Sequence, residues 1–479
     1  MSLVSLVILM LYFAILIAIG LAFARKQTTL SDFFLAGHAV PAWAALAAVV
    51  AAETSAVTFI GAPAQTFQEG GDLSFLQVAL GFLIARVVLA VFFLPKFMSQ
   101  EILTIYAYLG KRFGTRTQKM AGLFFFITRA LASGVRHYAA SLVISSVFQF
   151  DLAAAIVITG VVSLAYSATG GLKAVIWTEV LQLGVMILGG ILGAYYAWQL
   201  IPGGWETILE TGARHAKFAV IHWDWTGGGN YSFFMGLLGG TCLGLATHGA
   251  DQDIVQRLLA CQSLPGARKA LVGSGIFVLF QFAFFLLLGI MLFTYYGTLP
   301  PGLEKTDEIF PYFAAQRMPP VAAGLVIAAI LSAALSSTAA SLNSLASSTM
   351  SDFVLVIWKP VLTPRRQVLL SRAITVFWMV VLVGIAMWAS GSKNILDTGL
   401  SIPSYTYGSL LAAFLLGIFT RFRNEYTLMA GMLAGAGAVL AISRCQFHWT
   451  WFVPVGALVS MATAIAGEMV WERWKKPTE

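Results

Sequence analysis

Apolar runs long enough to cross a lipid bilayer follow one another along almost the whole chain. A spanning helix needs about 20 apolar residues, and we count about thirteen such runs in the 479 residues. They lie at 2–24, 41–67, 73–97, 118–148, 152–168, 174–200, 231–258, 268–297, 318–352, 367–391, 394–420, 425–443 and 450–472. Only helices and closed barrels satisfy the backbone in lipid, and these runs are too long for barrel strands. The sequence therefore predicts an all-α membrane protein.

The basic residues predict the orientation of these helices. With thirteen crossings, twenty Lys and Arg residues fall on the side of Arg25 and six on the opposite side. The positive-inside rule then places the N-terminus outside and the C-terminus in the cytoplasm of a cell's inner (plasma) membrane. The basic residues on the cytoplasmic side account for the net charge of +8. We therefore expect the protein to contact lipid and not nucleic acid.

The helices group into two blocks of five, which cross the membrane in opposite senses because five is odd. Each block begins with a helix interrupted by polar or breaking residues, at 53–63 and at 239–249. Paired interrupted helices in inverted repeats indicate a midplane binding site in secondary transporters. We divide the chain into an extra N-terminal helix (1–30), a first repeat (31–200), an extracellular connector (201–230), a second repeat (231–422) and two C-terminal helices with a short tail (423–479).

A stripe of hydroxyl and amide side chains runs through the apolar stretch Ala329–Asp352. Its members recur at helical spacing, so they share one helix face: Ser332, Ser336, Asn343, Ser347 and Ser351. Small hydroxyl residues let membrane helices pack closely. Alternatively, the adjacent Ser336 and Ser337 supply neutral oxygens to a hard cation such as sodium.

Five stretches together resemble the sodium/solute symporter family. They are residues 31–61, GKRFG at 110–114, GGLKAVIWTEVLQ at 170–182, GADQDIVQRLLAC at 249–261, and the serine-rich stretch itself. The resemblance implies the leucine-transporter inverted-repeat fold with broken first and sixth core helices. It also implies a transporter and not an enzyme, with sodium and a small solute as cargo and no obligatory protein partner.

The same resemblance implies a ligand set for one sodium ion. The backbone carbonyls are those of Ala51, Thr54 and Ala333, and the hydroxyls are those of Ser336 and Ser337. A partly unwound helix frees carbonyls that a cation can satisfy. Oxygens without formal charge bind weakly enough to release the ion inside.

A second sodium, found in some family members, is not expected here. Its hydroxyl positions are occupied by Ala339 and Ala340, and its acid by Glu179. We therefore predict one sodium per cycle. Glu179 is either a remnant of that site or an interfacial acid paired with Lys173 or another base.

Four ionisable residues fall at apparent mid-depth, where charge is costly and usually functional: Glu53, Arg86, Arg129 and Arg136. Glu53 attracts sodium, pairs with an Arg, or contacts an ammonium group of the solute. Arg129 and Arg136 are seven residues apart on one face. The resemblance favours Arg129 as the ligand of a solute carboxylate, with Arg136 as the alternative.

Other polar residues complete the candidate solute site: Ser55, Thr58, Thr247, His248, Gln281 and Tyr405. The contacts that sugar-transporting members use are not matched, because Ala79 and Gly244 stand at two of those positions. The sequence therefore predicts sodium-driven import of a small carboxylate-bearing anion or zwitterion. Sodium/sugar symport, proton coupling through Glu53 and a transporter-shaped sensor are the alternatives. Asp251 and Asp253, at the cytoplasmic end of the sixth core helix, are expected to be structural or to form a gate.

Overall fold

A computed structural model describes residues 3–24, 27–148, 150–223, 231–358, 362–390, 395–445 and 447–475. The end of the predicted connector (224–230) and the predicted start of one helix at 394 lie outside these ranges. So do five of the basic residues counted for orientation, which are Arg25, Lys26, Lys359, Lys393 and Lys476.

Helices account for nearly all of the described chain. The first ten are α1 Leu3–Ala24, α2 Leu30–Leu35, α3 Ala42–Glu53, α4 Ala56–Phe67, α5 Phe75–Val88, α6 Leu94–Met98, α7 Ile105–Arg112, α8 Thr115–Phe148, α9 Leu152–Leu200 and α10 Trp205–Arg214. The others are α11 Gly240–Gly249, α12 Gln252–Leu259, α13 Leu264–Tyr296, α14 Ile309–Arg317, α15 Pro320–Ser348, α16 Pro364–Ser390, α17 Ile395–Phe419, α18 Glu425–Ser443 and α19 Phe452–Lys475. The all-α prediction is confirmed within these ranges.

The predicted number of thirteen crossings stays a prediction. Among the described residues, nine helices are long and apolar enough to cross a membrane, or ten if the bent pair α3 and α4 is one span. One of the nine, α9, has 49 residues and bends at Gly171 (φ 58°, ψ −158°). At 1.5 Å per residue it is about 74 Å long, more than twice a hydrocarbon core of about 30 Å. Its two arms match the predicted runs 152–168 and 174–200.

The bend at Gly171 requires glycine. A Cβ at this position would lie 2.5 Å from the carbonyl oxygen of Phe33, and the positive φ disfavours other residues. The first arm of α9 therefore ends at Gly171, where α2 packs against the helix, and the second arm begins there.

Helix α15 lies at the centre of the fold. In its most apolar window 83% of the residues are buried, and it packs against α1, α3, α8, α9 and α16. Its hydroxyl stripe is used on several sides: Ser332 donates to the Tyr12 hydroxyl of α1 (2.8 Å), and Ser133 of α8 donates to Ser341 (2.7 Å). The packing interpretation thus holds for much of the stripe.

The sequence analysis did not predict four short helices, α2, α7, α10 and α14, because the length of an apolar run identifies only membrane-spanning helices. Helix α10 shows what such elements do. Lys217, just after it, donates to the carbonyls of Thr66 (2.7 Å) and Gln68 (3.0 Å). Those carbonyls belong to the C-terminal end of α4, so the connector caps this half-helix.

Candidate sodium site and solute cavity

The first core helix is broken between α3 and α4. Thr54 and Ser55 are non-helical (ψ 88° and 169°), and the two halves meet at a 58° bend. The Thr54 hydroxyl donates to the Val50 carbonyl (2.7 Å), the local competition by which Ser and Thr loosen helices. The break leaves the last carbonyls of α3 without helical partners, as the prediction for this helix requires.

Helix α15 meets this break at the predicted serine pair. The Ser336 hydroxyl donates to the carbonyl oxygens of Ala51 (3.0 Å) and Ala333 (3.2 Å). Ser337, also buried, donates to Ala334 (2.9 Å). Ser336 thus joins two other predicted ligands, the carbonyls of Ala51 and Ala333, across two helices. Thr54 follows Ala51 by three residues, and Ser337 follows Ser336 directly. Neutral oxygens so arranged suit a dehydrated hard cation.

Gln281 of α13 belongs to the hinge and not to the solute cavity. Its side-chain nitrogen donates to the Thr54 hydroxyl (2.9 Å), and Gln281 lines an apolar crevice between α9 and α13. The predicted role of Gln281 in solute binding therefore finds no support in its position.

A cavity of about 500 Å³ lies between the two broken helices. Seven of the nine predicted solute residues line it: Glu53, Ser55, Thr58, Arg129, Arg136, Thr247 and His248. Gln281 and Tyr405 do not. Tyr405 instead packs against Phe452 (5.8 Å between ring centroids), and the cavity is reached by Ser404 and Tyr407 of the same helix.

Glu53 pairs with an arginine, which was one of its three open roles. The Arg86 guanidinium donates to the Glu53 carboxylate, and the same Nη2 lies 2.8 Å from Nε2 of His248. His248 also contacts the Thr247 hydroxyl through Nδ1 (2.7 Å). Arg86 is fully buried. Arg86 therefore offsets the charge of Glu53 on one side, while the other side of Glu53 faces the cavity.

Arg129 is held by the second broken helix. This helix breaks at Ala250 and Asp251, between α11 and α12. Arg129 donates to the Asp251 carboxylate, and its Nη2 lies 3.2 Å from Asp253. The Tyr407 hydroxyl also donates to Asp251. Both carboxylate contacts of Arg129 are made by Nη2, and the two carboxylates beside it offset the positive charge of Arg129, which weakens its attraction for a solute carboxylate.

Glu179 makes a two-point ion pair. Arg257 donates from Nε to Oε2 (3.0 Å) and from Nη2 to Oε1 (2.5 Å), and both side chains are buried. The partner is thus a base, but Arg257 and not Lys173, which lies over the ring of Phe23. Both oxygens of Glu179 are occupied by this pair.

Arg136 differs from Arg129, the other arginine that lines the cavity. It lines the cavity, yet it forms no ion pair or hydrogen bond with the part of the chain that the structure describes, and its buried Nε has no partner there. A guanidinium facing a cavity in this way can bind a carboxylate through two parallel hydrogen bonds.

Several cavity residues were missing from the predicted set. The aromatic lining was not anticipated: Phe75, Phe82, Tyr231, Phe282 and Trp449. Arg86, which contacts Glu53 without lining the cavity, was recognised as a buried charge without a role. Tyr407 lies three residues after Ser404, on the same helical face, and that spacing was a usable signal. Trp449 lies between α18 and α19, outside both predicted repeats, and no sequence signal connected it with the cavity.

The chain is similar to known transporters over nearly all of its length. The sequence profile described as "Sodium:solute symporter family" matches residues 33–435. A sodium/sialic acid symporter of Proteus mirabilis is 30% identical over 95% of this chain and 92% of its own. Sodium-coupled monocarboxylate transporter 2 of mouse is 29% identical over 88% of this chain and 69% of its own.

Solved structures agree with these relatives. A Na⁺-coupled sialic acid symporter, solved substrate-bound and outward-open, superimposes with a TM-score of 0.90 at 26% identity and covers 98% of both chains. A nucleobase-cation-symport-1 family transporter shares the fold alone, with a TM-score of 0.57 at 16% identity over 94% of this chain and 95% of its own. This multi-pass membrane chain therefore belongs to the sodium:solute symporter family, and sodium is its coupled ion.

Proposed function

We propose that the protein imports a small monoanionic carboxylate together with one sodium ion by alternating access. The observation that carries the proposal is Arg136, the cavity guanidinium without a partner among the described residues. Both the monocarboxylate and the sialic acid symporters among its relatives are named for acids. We transfer the solute carboxylate from Arg129, which the sequence favoured, to Arg136, because Asp251 and Asp253 offset the charge of Arg129.

The charges around the cavity support a single negative charge on the solute. Arg86 pairs with Glu53, and the three guanidinium groups of Arg129, Arg136 and Arg257 equal in number the carboxylates of Glu179, Asp251 and Asp253, although Arg136 pairs with none of them. A monoanion and one sodium ion together leave this balance unchanged. A dianion would leave an uncompensated charge in a partly dehydrated site, which is costly.

One sodium per cycle agrees with the surroundings of Glu179. Its two oxygens accept from Arg257, and the neighbouring positions on α15, Ala339 and Ala340, carry no hydroxyl. Cotransport of one sodium with a monoanion moves no net charge. Uptake into proteoliposomes should therefore depend on sodium with a Hill coefficient near one and should not respond to a potassium-diffusion potential. Stimulation by an inside-negative potential would contradict this stoichiometry.

The carboxylate site is tested by Arg136→Gln, with Arg365→Gln as the matched control because Arg365 is exposed at the start of α16. Two charge-assisted hydrogen bonds are worth roughly 1.5–3 kcal/mol each. Arg136→Gln should therefore lower sodium-driven uptake of a carboxylate at least about 100-fold while the sodium-dependent stabilisation of the purified protein remains. Arg136→Lys keeps the charge but not the planar fork, so it should recover only part of the uptake. Normal uptake by Arg136→Gln would overturn the assignment.

We further propose that the protein lies in the cell's plasma membrane with its N-terminus outside, as the distribution of basic residues supports. Cys445, exposed between α18 and α19, should then react with a membrane-impermeant maleimide added to intact cells. Reaction only after the membrane is permeabilised would reverse the orientation.

A further inference from the structure

One side of the solute cavity is lined by an aromatic cluster, which we define as Phe75, Tyr231, Phe282 and Trp449. The rings are continuous: Phe75 lies 4.8 Å from Phe282 and 5.2 Å from Tyr231, and Tyr231 lies 6.3 Å from Trp449, measured between centroids. They come from α5, from the chain before α11, from α13 and from the turn before α19. Four separate elements thus place aromatic faces at the same cavity.

The aromatic cluster lies apart from the cavity's charges. Phe75 begins α5, and Arg86, whose guanidinium reaches Glu53 and His248, lies eleven residues later on the same helix. Eleven residues correspond to about 16 Å along a helix axis. Tyr231 likewise precedes α11, whereas Thr247, His248 and Asp251 lie at its far end. The cavity therefore has Glu53, His248 and Asp251 towards one end and the aromatic cluster towards the other.

Trp449 is held in place by a close contact with the second broken helix. The next residue, Thr450, is buried, and a Cβ at Gly239 would lie 2.8 Å from Thr450 Cβ and 2.9 Å from its carbonyl oxygen. Glycine at 239 thus allows the turn between α18 and α19 to approach. The two C-terminal helices, which lie outside the predicted repeats, in this way supply a wall of the cavity.

The chemistry of this end suits an aromatic group. Aromatic pairs gain energy beyond simple area burial when rings stack offset or edge-to-face. Within the aromatic cluster the polar atoms are the Tyr231 hydroxyl and the Trp449 indole nitrogen, so a polyhydroxylated group would find few hydrogen-bond partners there. Binding sites of this kind are mostly apolar, with a few polar groups that fix orientation.

We propose that the aromatic cluster binds a ring of the solute while Arg136 binds its carboxylate, so that the solute is an aryl-substituted monocarboxylate. This inference rests on the proposed function through Arg136 and adds the chemical class of the solute's other end. Because the aromatic cluster and Arg136 line the same cavity of about 500 Å³, a short chain between the ring and the carboxylate would let one solute contact both.

The experiment is sodium-driven uptake by the full chain in proteoliposomes, with 3-phenylpropionate, 3-cyclohexylpropionate and butyrate as probes. The wild type should prefer 3-phenylpropionate over both other acids. Trp449→Leu removes the ring while keeping an apolar side chain, and it should raise the KM for 3-phenylpropionate roughly 2- to 12-fold, the range expected for one aromatic pair. It should leave the KM for butyrate within about twofold. Trp449→Phe should recover most of the loss.

The control is Trp388→Leu, because Trp388 is 64% exposed on α16 and should affect neither acid. Equal loss of uptake for all three probes in Trp449→Leu would show that Trp449 closes the cavity without selecting the solute, and would overturn the inference. Sodium-driven uptake of butyrate without any preference for the aryl acid would overturn the inference and leave the proposed function standing. Absence of sodium-driven uptake for every carboxylate would overturn both.

Discussion

The two broken helices differ in the contacts that they make at the break. At the first break, α3 meets α15 through carbonyls and a hydroxyl, those of Ala51, Ala333 and Ser336. The ion pair of Glu53 with Arg86 lies beside these groups without joining α3 to α15. At the second break, Asp251 is bound by the charged Arg129 and by Tyr407. Neutral oxygens can release a cation on each cycle, whereas a buried ion pair is costly to separate. We therefore propose that the first break exchanges the ion, whereas the second break joins the half-helix α12 to α8 and α17 through Asp251.

The largest expected effect comes from removing the ion pairs of Arg129 at the second break. Arg129→Met would leave Asp251 buried without its guanidinium partner, although Asp253 would keep Arg257 at 3.4 Å. Breaking a buried pair typically costs about 3–5 kcal/mol of stability. The melting temperature of the purified protein should therefore fall by several degrees. Arg365→Met, at an exposed position, should change the stability by no more than about 0.5 kcal/mol. Equal melting temperatures for the two variants would show that the ion pairs do not hold this break.

A smaller effect is expected from Tyr407→Phe. The change removes one hydroxyl donor from Asp251 but leaves Arg129 and the backbone N–H of Asp253 (2.9 Å) in place. A hydrogen bond to a charged group is worth about 1.5–3 kcal/mol, so the midpoint of unfolding should fall by less than in Arg129→Met. In the double variant the two losses should not add, because both act on Asp251. Strict additivity would contradict the shared network.

The smallest effect is expected at the first break itself. Gln281→Leu removes the donor to the Thr54 hydroxyl, but that hydroxyl still donates to Val50. A neutral hydrogen bond contributes about 0.5–1.5 kcal/mol, so stability should fall slightly. Because Gln281 is not among the predicted ligands, the sodium concentration for half-maximal stabilisation should stay within about twofold of wild type. A tenfold change would place Gln281 in the ion site.

Sequence patterns anticipated the first region better than the second. The serine pair on α15 and the polar break after Glu53 are local features, because helical spacing and helix-breaking residues can be recognised within a single stretch of sequence. The difference between Arg129 and Arg136 is not local. Both lie on one face of α8, and only the position of Asp251 and Asp253 on another helix decides which arginine is occupied.

The same limit explains the other differences. Tyr405 was chosen for its side chain, but the face of α17 that meets the cavity carries Ser404 and Tyr407. Arg257, not Lys173, pairs with Glu179 because α12 brings it to α9 across 78 residues of sequence. Long-range pairing of this kind depends on how helices pack, and residue types alone do not determine it.

The central claim, that the serine pair and the first break form the sodium site, is tested most directly by thermal stabilisation. The purified wild type and the double variant Ser336→Ala with Ser337→Ala would be melted in sodium, potassium or choline chloride at equal ionic strength. A ligand that binds the folded state stabilises it in proportion to the logarithm of its concentration above the Kd. Sodium alone should raise the melting temperature of the wild type and leave that of the double variant unchanged. An equal sodium response in both proteins would show that these serines serve packing, and would contradict the account.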